Sequence, residues 1–168
     1  MSIKRDLLKE KLLNSKSFNT VYLVREDEER VRREQMEILI ELLCDDKHKA
    51  ARGEVFNFLK KEKKAVDLLI RAIGEATVDK KKLIAACWEG DLDCDRYLAL
   101  FTQLTLNDTF EVALEAFTTI ENMRKIEPVE AGALLEKVNT ALHQQADPGR
   151  KVLASDLAEF LKKHIPNN

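Results

Sequence analysis

Apolar residues along this chain recur at intervals of three and four, and no stretch sustains the alternation of a strand, so helices are predicted throughout. Ile3, Leu7, Leu8 and Leu12 lay one stripe along a helix over residues 3–14. From Asn14 to Leu23 the chain is polar around a single cluster of Val21, Tyr22 and Leu23. Asn and Ser side chains there compete for backbone hydrogen bonds, which predicts a loop. A longer helix over about 25–44 opens on Glu26, Asp27, Glu28 and Glu29, carboxylates that suit the positive end of a helix dipole. Its stripe is Val31, Met36, Leu39, Ile40 and Leu43.

Beyond this helix the pattern repeats. Asp46, Asp79 and Asp108 each precede an apolar run, where a carboxylate can cap open backbone N–H groups. Four, five and nine residues after them stand Ala50, Ala51 and Val55, then Leu83, Ile84 and Trp88, then Val112, Ala113 and Phe117. Four, seven and eight residues before the first and third stand Leu42, Leu39 and Ile38, and Leu104, Phe101 and Leu100. The middle unit departs, with Glu75 at the first of those places and a longer turn expected over Gly74 to Val78. The aspartates are 33 and 29 residues apart, room for two short helices per unit, and a fixed period of that length reads as an α-solenoid.

The run Asp-x-x-x-Val-x-x-x-Ala-Phe-x-x-Ile from Asp108 to Ile120 resembles the second helix of a HEAT repeat, and Asp46 to Leu59 resembles it more weakly. The resemblance is to the short HEAT-like repeats that accompany phycobilin lyases, over about 29–122 and on through 128–164. Ala113 and Ile84 stand where such repeats often carry an arginine. The resemblance implies an all-α fold, a right-handed solenoid of about 7–9 helices in HEAT-like pairs. One domain over 1–168 is expected, with helix 3–14 capping its N-terminal end, repeats over about 25–145, and helix 150–164 capping the other end. A tetratricopeptide array fits worse, because its Trp-x-x-Leu-Gly-x-x-Tyr signature is missing.

The last third supplies two more helices. Pro128 suits a helix's first turn and leads a stripe of Val129, Ala133, Leu134, Val138 and Leu142. Ala146-Asp147-Pro148-Gly149 is the clearest turn, and Val152, Leu153, Leu157, Phe160 and Leu161 mark the final helix, which stops before Pro166.

Composition narrows the class. Five Gly and three Pro among 168 residues, with 35% charged residues, describe a chain of long solvated helices with few turns. No run of about 18 apolar residues exists to span a membrane, and charges from Lys4 to Lys11 interrupt any apolar leader, so a cytoplasmic protein is expected. Cys44, Cys87 and Cys94 lack paired spacing, which suits a reducing compartment.

Candidate chemistry is sparse. Asp91, Asp93 and Asp95 have the spacing that opens a calcium loop, but Arg96 and Thr102 stand where such a loop needs Gly and a bidentate Glu, so a capping turn is the better reading. The cysteines and His48, His143 and His164 show no zinc spacing. Cys87 reads as core, and Cys94, before an apparent helix start, is the one thiol placed for reactivity. Trp88 shares its register with Val55 and Phe117 and reads as core. With no nucleophile elbow, phosphate loop or isolated acid–base pair, no enzyme, metal site or cofactor is expected.

The charge layout carries more. Residues 47–82 hold eleven Lys+Arg against five Asp+Glu, whereas residues 83–147 hold four against twelve, inside a chain of net charge −2. In HEAT-like solenoids the second helix of each pair lines the concave face. That register would point Lys47, Lys49, Arg52, Lys80 and Lys82 there, followed by Thr109, Glu111 and Glu115. Such a face suits a protein or peptide carrying both signs, and a non-catalytic scaffold or adaptor is the leading expectation. The alternative is a HEAT-like nucleic-acid-binding protein using the Lys-rich segment 47–82, with its cluster Lys60, Lys61, Lys63 and Lys64 and the run Lys80, Lys81 and Lys82; the acidic second half disfavours it. By the resemblance alone, an accessory role beside a tetrapyrrole protein is a third.

Overall fold

A computed structural model describes residues 3–14, 28–76 and 79–166, and all the regular structure among them is helical. The described residues form nine α-helices: α1 (Ile3–Asn14), α2 (Glu28–Cys44), α3 (Arg52–Lys61), α4 (Lys63–Glu75), α5 (Lys80–Glu89), α6 (Leu98–Asn107), α7 (Phe110–Glu121), α8 (Pro128–Gln144) and α9 (Pro148–Lys163). Two 3-10 turns, Asp46–Ala51 and Asp95–Tyr97, lead into α3 and α6. Among the described residues no helix is long and apolar enough to cross a membrane. The polar loop expected around Val21, Tyr22 and Leu23, and the first residues expected of the 25–44 helix, lie outside the described residues. So do Thr77 and Val78 of the expected turn.

The chain divides into two compact units, Met1–Leu92 and Asp93–Asn168. In unit 1, α2 is the hub: α1, the Asp46–Ala51 turn, α3, α4 and α5 all pack on it. Its residues Met36, Ile38, Leu39, Ile40, Leu42 and Leu43 are buried, an apolar surface that wraps most of the helix rather than one stripe. Ala65, Val66, Leu69 and Ile73 give α4 a single buried face, whereas five consecutive buried residues, Leu83 to Cys87, place α5 among several neighbours. Each fully buried Leu or Ile contributes about 1.5–3 kcal/mol relative to exposure.

Unit 2 is built from helix pairs. α6 packs along α7 and α8 along α9, and the pairs meet through α6 on α8 and α7 on α9, with α6 also touching α9. The second helices run parallel: the Phe110 ring lies 3.5 Å from where a side chain at Gly149 would begin, and the Phe117 and Phe160 rings meet edge to face at 6.3 Å. Leu98, Phe101, Ala113, Ile120, Val138 and Leu157 are among the residues at its dry centre.

Three local expectations need correction. Of the three aspartates, none caps its helix with its own carboxylate. Asp45, not Asp46, accepts from the Lys47 N–H, and it also holds the His48 ring at 2.8 Å. His48 takes a non-helical conformation there, so α3 begins only at Arg52 and Ala50 is exposed. Asp79 sits in the left-handed region, which Asp tolerates better than most residues, and turns its carboxylate to Lys82. Asp108 accepts from Thr109, and Thr109 caps α7 through the Val112 N–H. The second correction is in α8, whose buried face is Ala131, Leu134 and Val138, while Val129 is 88% exposed and Ala133 is exposed. At 3.6 residues per turn, 129 and 133 fall on the side opposite 131, 134 and 138. Third, Val152 is 61% exposed, so it does not belong to the buried face of α9.

Candidate functional site

The eight residues expected on a concave face divide between the units, five in unit 1 and Thr109, Glu111 and Glu115 in unit 2. In unit 1 three of the five expected cations, Lys49, Arg52 and Lys82, pair with carboxylates of the same unit. The Lys82 ammonium donates to the Cys44 carbonyl and to Asp46 Oδ2, both at 3.1 Å, and stands 3.4 Å from Asp79. It thereby joins the end of α2, the 3-10 turn and the start of α5. The hydrogen bond with Asp46 raises the Lys82 pKa and, from the other side, lowers that of Asp46. Lys49 also pairs with Asp46, at 3.6 Å, and Arg52 with Glu89, at 3.4 Å. Lys47 is exposed and Lys80 half-buried.

A second set of contacts in unit 1 lies outside the expected residues. Arg52, Phe56 and Lys60 occupy successive turns of α3 and face Glu89, Gly90 and Asp91 at the end of α5. Lys60 Nζ donates to Asp91 at 3.2 Å, and Phe56 lies so close over Gly90 that a Cβ there would stand 2.8 Å from its ring and 2.7 Å from the Ala86 carbonyl. The spacing of four between Arg52, Phe56 and Lys60 was a visible signal; the partners 31 to 37 residues away were not. Arg32 of α2 adds a further bridge, to Glu62 at the start of α4.

Unit 2 presents the opposite arrangement. On α7, Phe110 is 48% and Leu114 46% exposed, one turn apart, beside the exposed Glu111 and the half-buried Glu115. Neither Lys nor Arg occurs between Arg96 and Arg124. The buried face of α7, Val112, Ala113, Ala116, Phe117 and Ile120, accounts for the repeat register, and Phe110 and Leu114 are apolar residues left over from it.

The remaining candidates disperse. Asp91 engages Lys60, Asp93 is exposed, and Asp95 accepts from the Arg124 N–H at 3.0 Å, so the three carboxylates do not converge. No group of three His, Cys, Asp or Glu side chains among the described residues could hold a metal ion. Cys94 is buried, which removes the exposure a reactive thiol at a helix start would need, and Cys87 is buried with its thiol toward the Leu83 carbonyl. Cys44 is half-buried, and burial raises its pKa, with Asp79 adding to the effect. Trp88 is half-buried rather than core, one residue before the end of α5. No family model, curated protein or solved structure matches the chain.

Proposed function

We propose that this protein is a non-catalytic interaction scaffold, a HEAT-like solenoid that binds a partner protein or peptide on the face formed by its second helices. A cytoplasmic setting is part of this reading. The observation that carries it is the pair Phe110 and Leu114, large apolar side chains half exposed on α7 among carboxylates. Apolar anchors within a charged surround are the usual anatomy of a binding surface. The stacking of α6–α7 on α8–α9 with parallel second helices supports the repeat reading, since stacked pairs leave one layer of second helices available to a partner. Recognition of nucleic acid would draw on Lys60, Lys61, Lys63 and Lys64 and on Lys80, Lys81 and Lys82; Lys60 and Lys82 already meet carboxylates, and the acidic second half of the chain would repel a phosphate backbone.

The test is capture from nuclease-treated lysate on the immobilised chain at low and moderate salt. A discrete protein is expected, retained by the parent chain and lost with Glu111→Lys plus Glu115→Lys. Recovery of nucleic acid instead, falling steeply with salt, would overturn the reading.

A further inference from the structure

Resting on the scaffold reading, the geometry points to one class of partner: we propose that the outer groove between α7 and α9 binds a basic amphipathic helix. The two helices run parallel and touch through Phe110 against Gly149 and Phe117 against Phe160. With 3.6 residues per turn, the side of α7 away from the core and next to this line carries Phe110, Leu114 and Glu121. The matching side of α9 carries Val152, Asp156 and Glu159, because its core face is Leu153, Ala154, Leu157, Ala158 and Leu161. The groove therefore has an apolar floor of three exposed residues, Phe110, Leu114 and Val152.

Acidic residues surround it, with Glu111 beyond Leu114 on α7, Asp156 and Glu159 on α9, and Glu121 three turns along the Phe110 row, all exposed. One cation on this side of α9, Lys163, stands at its last turn. A third helix laid into such a groove needs apolar residues at i, i+3 or i+4 and i+7 to reach the floor. Lysine or arginine on its flanks would meet the rim. An acidic helix or a nucleic acid would meet the same carboxylates as repulsion.

The probe is a fluorescein-labelled peptide of about 18 residues, leucine at helical i, i+3, i+4 and i+7 spacing and lysine elsewhere, set against a twin with glutamate for lysine. Anisotropy with the full chain should show saturable binding of the lysine peptide, at least about tenfold tighter than its twin. Leu114→Ser and Val152→Ser should each weaken it by about tenfold, while Val129→Ser, an exposed valine on α8, should not, with circular dichroism confirming unchanged helicity. Equal binding of the two peptides, binding of neither, or indifference to Leu114→Ser would overturn the groove. If a protein partner is still captured from lysate when the groove test fails, the scaffold reading stands without the groove; failure of both removes the scaffold reading as well.

Discussion

The two units use the same helical grammar and deploy their charged residues differently. Unit 1 carries twenty Lys+Arg and eighteen Asp+Glu, and its bridges from Arg32, Arg52, Lys60 and Lys82 reach 30 to 37 residues along the chain to join separate helices. Unit 2 carries eight against twelve, and what joins its helices is apolar packing between the pairs α6–α7 and α8–α9. Glu111 and Glu121 on α7 and Asp156 and Glu159 on α9 are exposed. A high charge content therefore says little about function until it is known which charges are already answered within the fold. The face expected from the sequence runs from basic to acidic, and its basic members Lys49, Arg52 and Lys82 pair with carboxylates of their own unit.

The comparison breaks most sharply at the core of unit 2. Phe101 is fully buried on α6, and Phe101→Ala is expected to cost about 3–5 kcal/mol, read by urea unfolding. A loss below about 1 kcal/mol would mean that apolar packing is not what holds the helix pairs. Unit 1 is tested at Gly90, where α3 and α5 meet. Its φ of −82° suits any residue, so the constraint is space alone, and a Cβ would strike the Ala86 carbonyl, which cannot rotate away. Gly90→Ala should destabilise by about 1–3 kcal/mol, and hydrogen exchange should rise first in α3 and α5.

A smaller effect of opposite sign sharpens the picture of unit 2. The Thr102 hydroxyl on α6 is buried with no hydrogen-bond partner, whereas its neighbour Thr105 donates to the Phe101 carbonyl at 2.8 Å. Thr102→Val keeps the shape and removes an unanswered polar atom. It is expected to be neutral or to stabilise by up to about 1 kcal/mol in the same unfolding assay. A clear destabilisation would show that the hydroxyl has a partner in solution.

Much of the fold was legible because helix periodicity is a local property. The helix over 3–14 lies where its leucines put it, and the final helix differs from the expected 150–164 by two residues at its start and one at its end. Capping was less legible: of the adjacent Asp45 and Asp46, the first accepts from the Lys47 N–H and meets His48, while the second pairs with Lys82 and Lys49, partners that a linear pattern does not reveal. The buried face of α8 differs from the expected stripe because Val129 and Ala133 share a spacing of four with each other yet face away from Leu134 and Val138. Phe110 and Leu114 were visible as apolar residues outside the repeat register, and the absence of Lys and Arg from 97 to 123 was visible as well. That α7 packs against α9, which carries the exposed Val152, was not, because it depends on which helices pair.

The smallest effect expected concerns the Lys82 clasp, and its value lies in its pH dependence. Lys82 has its pKa raised, so its contribution is complete below the unfolded lysine value of about 10.4 and is lost as pH rises through the folded value. Asp46 has its pKa lowered, so its contribution is complete above the unfolded aspartate value of about 3.9 and is lost as pH falls through the folded one. The clasp should then stabilise unit 1 across the interval between those limits and fade on either side. Lys82→Met keeps most of the unbranched stem and removes its charge and its hydrogen bonds to Asp46 and the Cys44 carbonyl. Thermal unfolding of both proteins should show a gap at neutral pH that narrows below the carboxylate range and narrows again in strong base. Because Asp46 is two-thirds exposed, added salt should also shrink the gap. A gap that ignores both pH and salt would mean that the contact acts through packing of the lysine stem, and the contrast between a charge-tied unit 1 and an apolar unit 2 would lose its best-placed example.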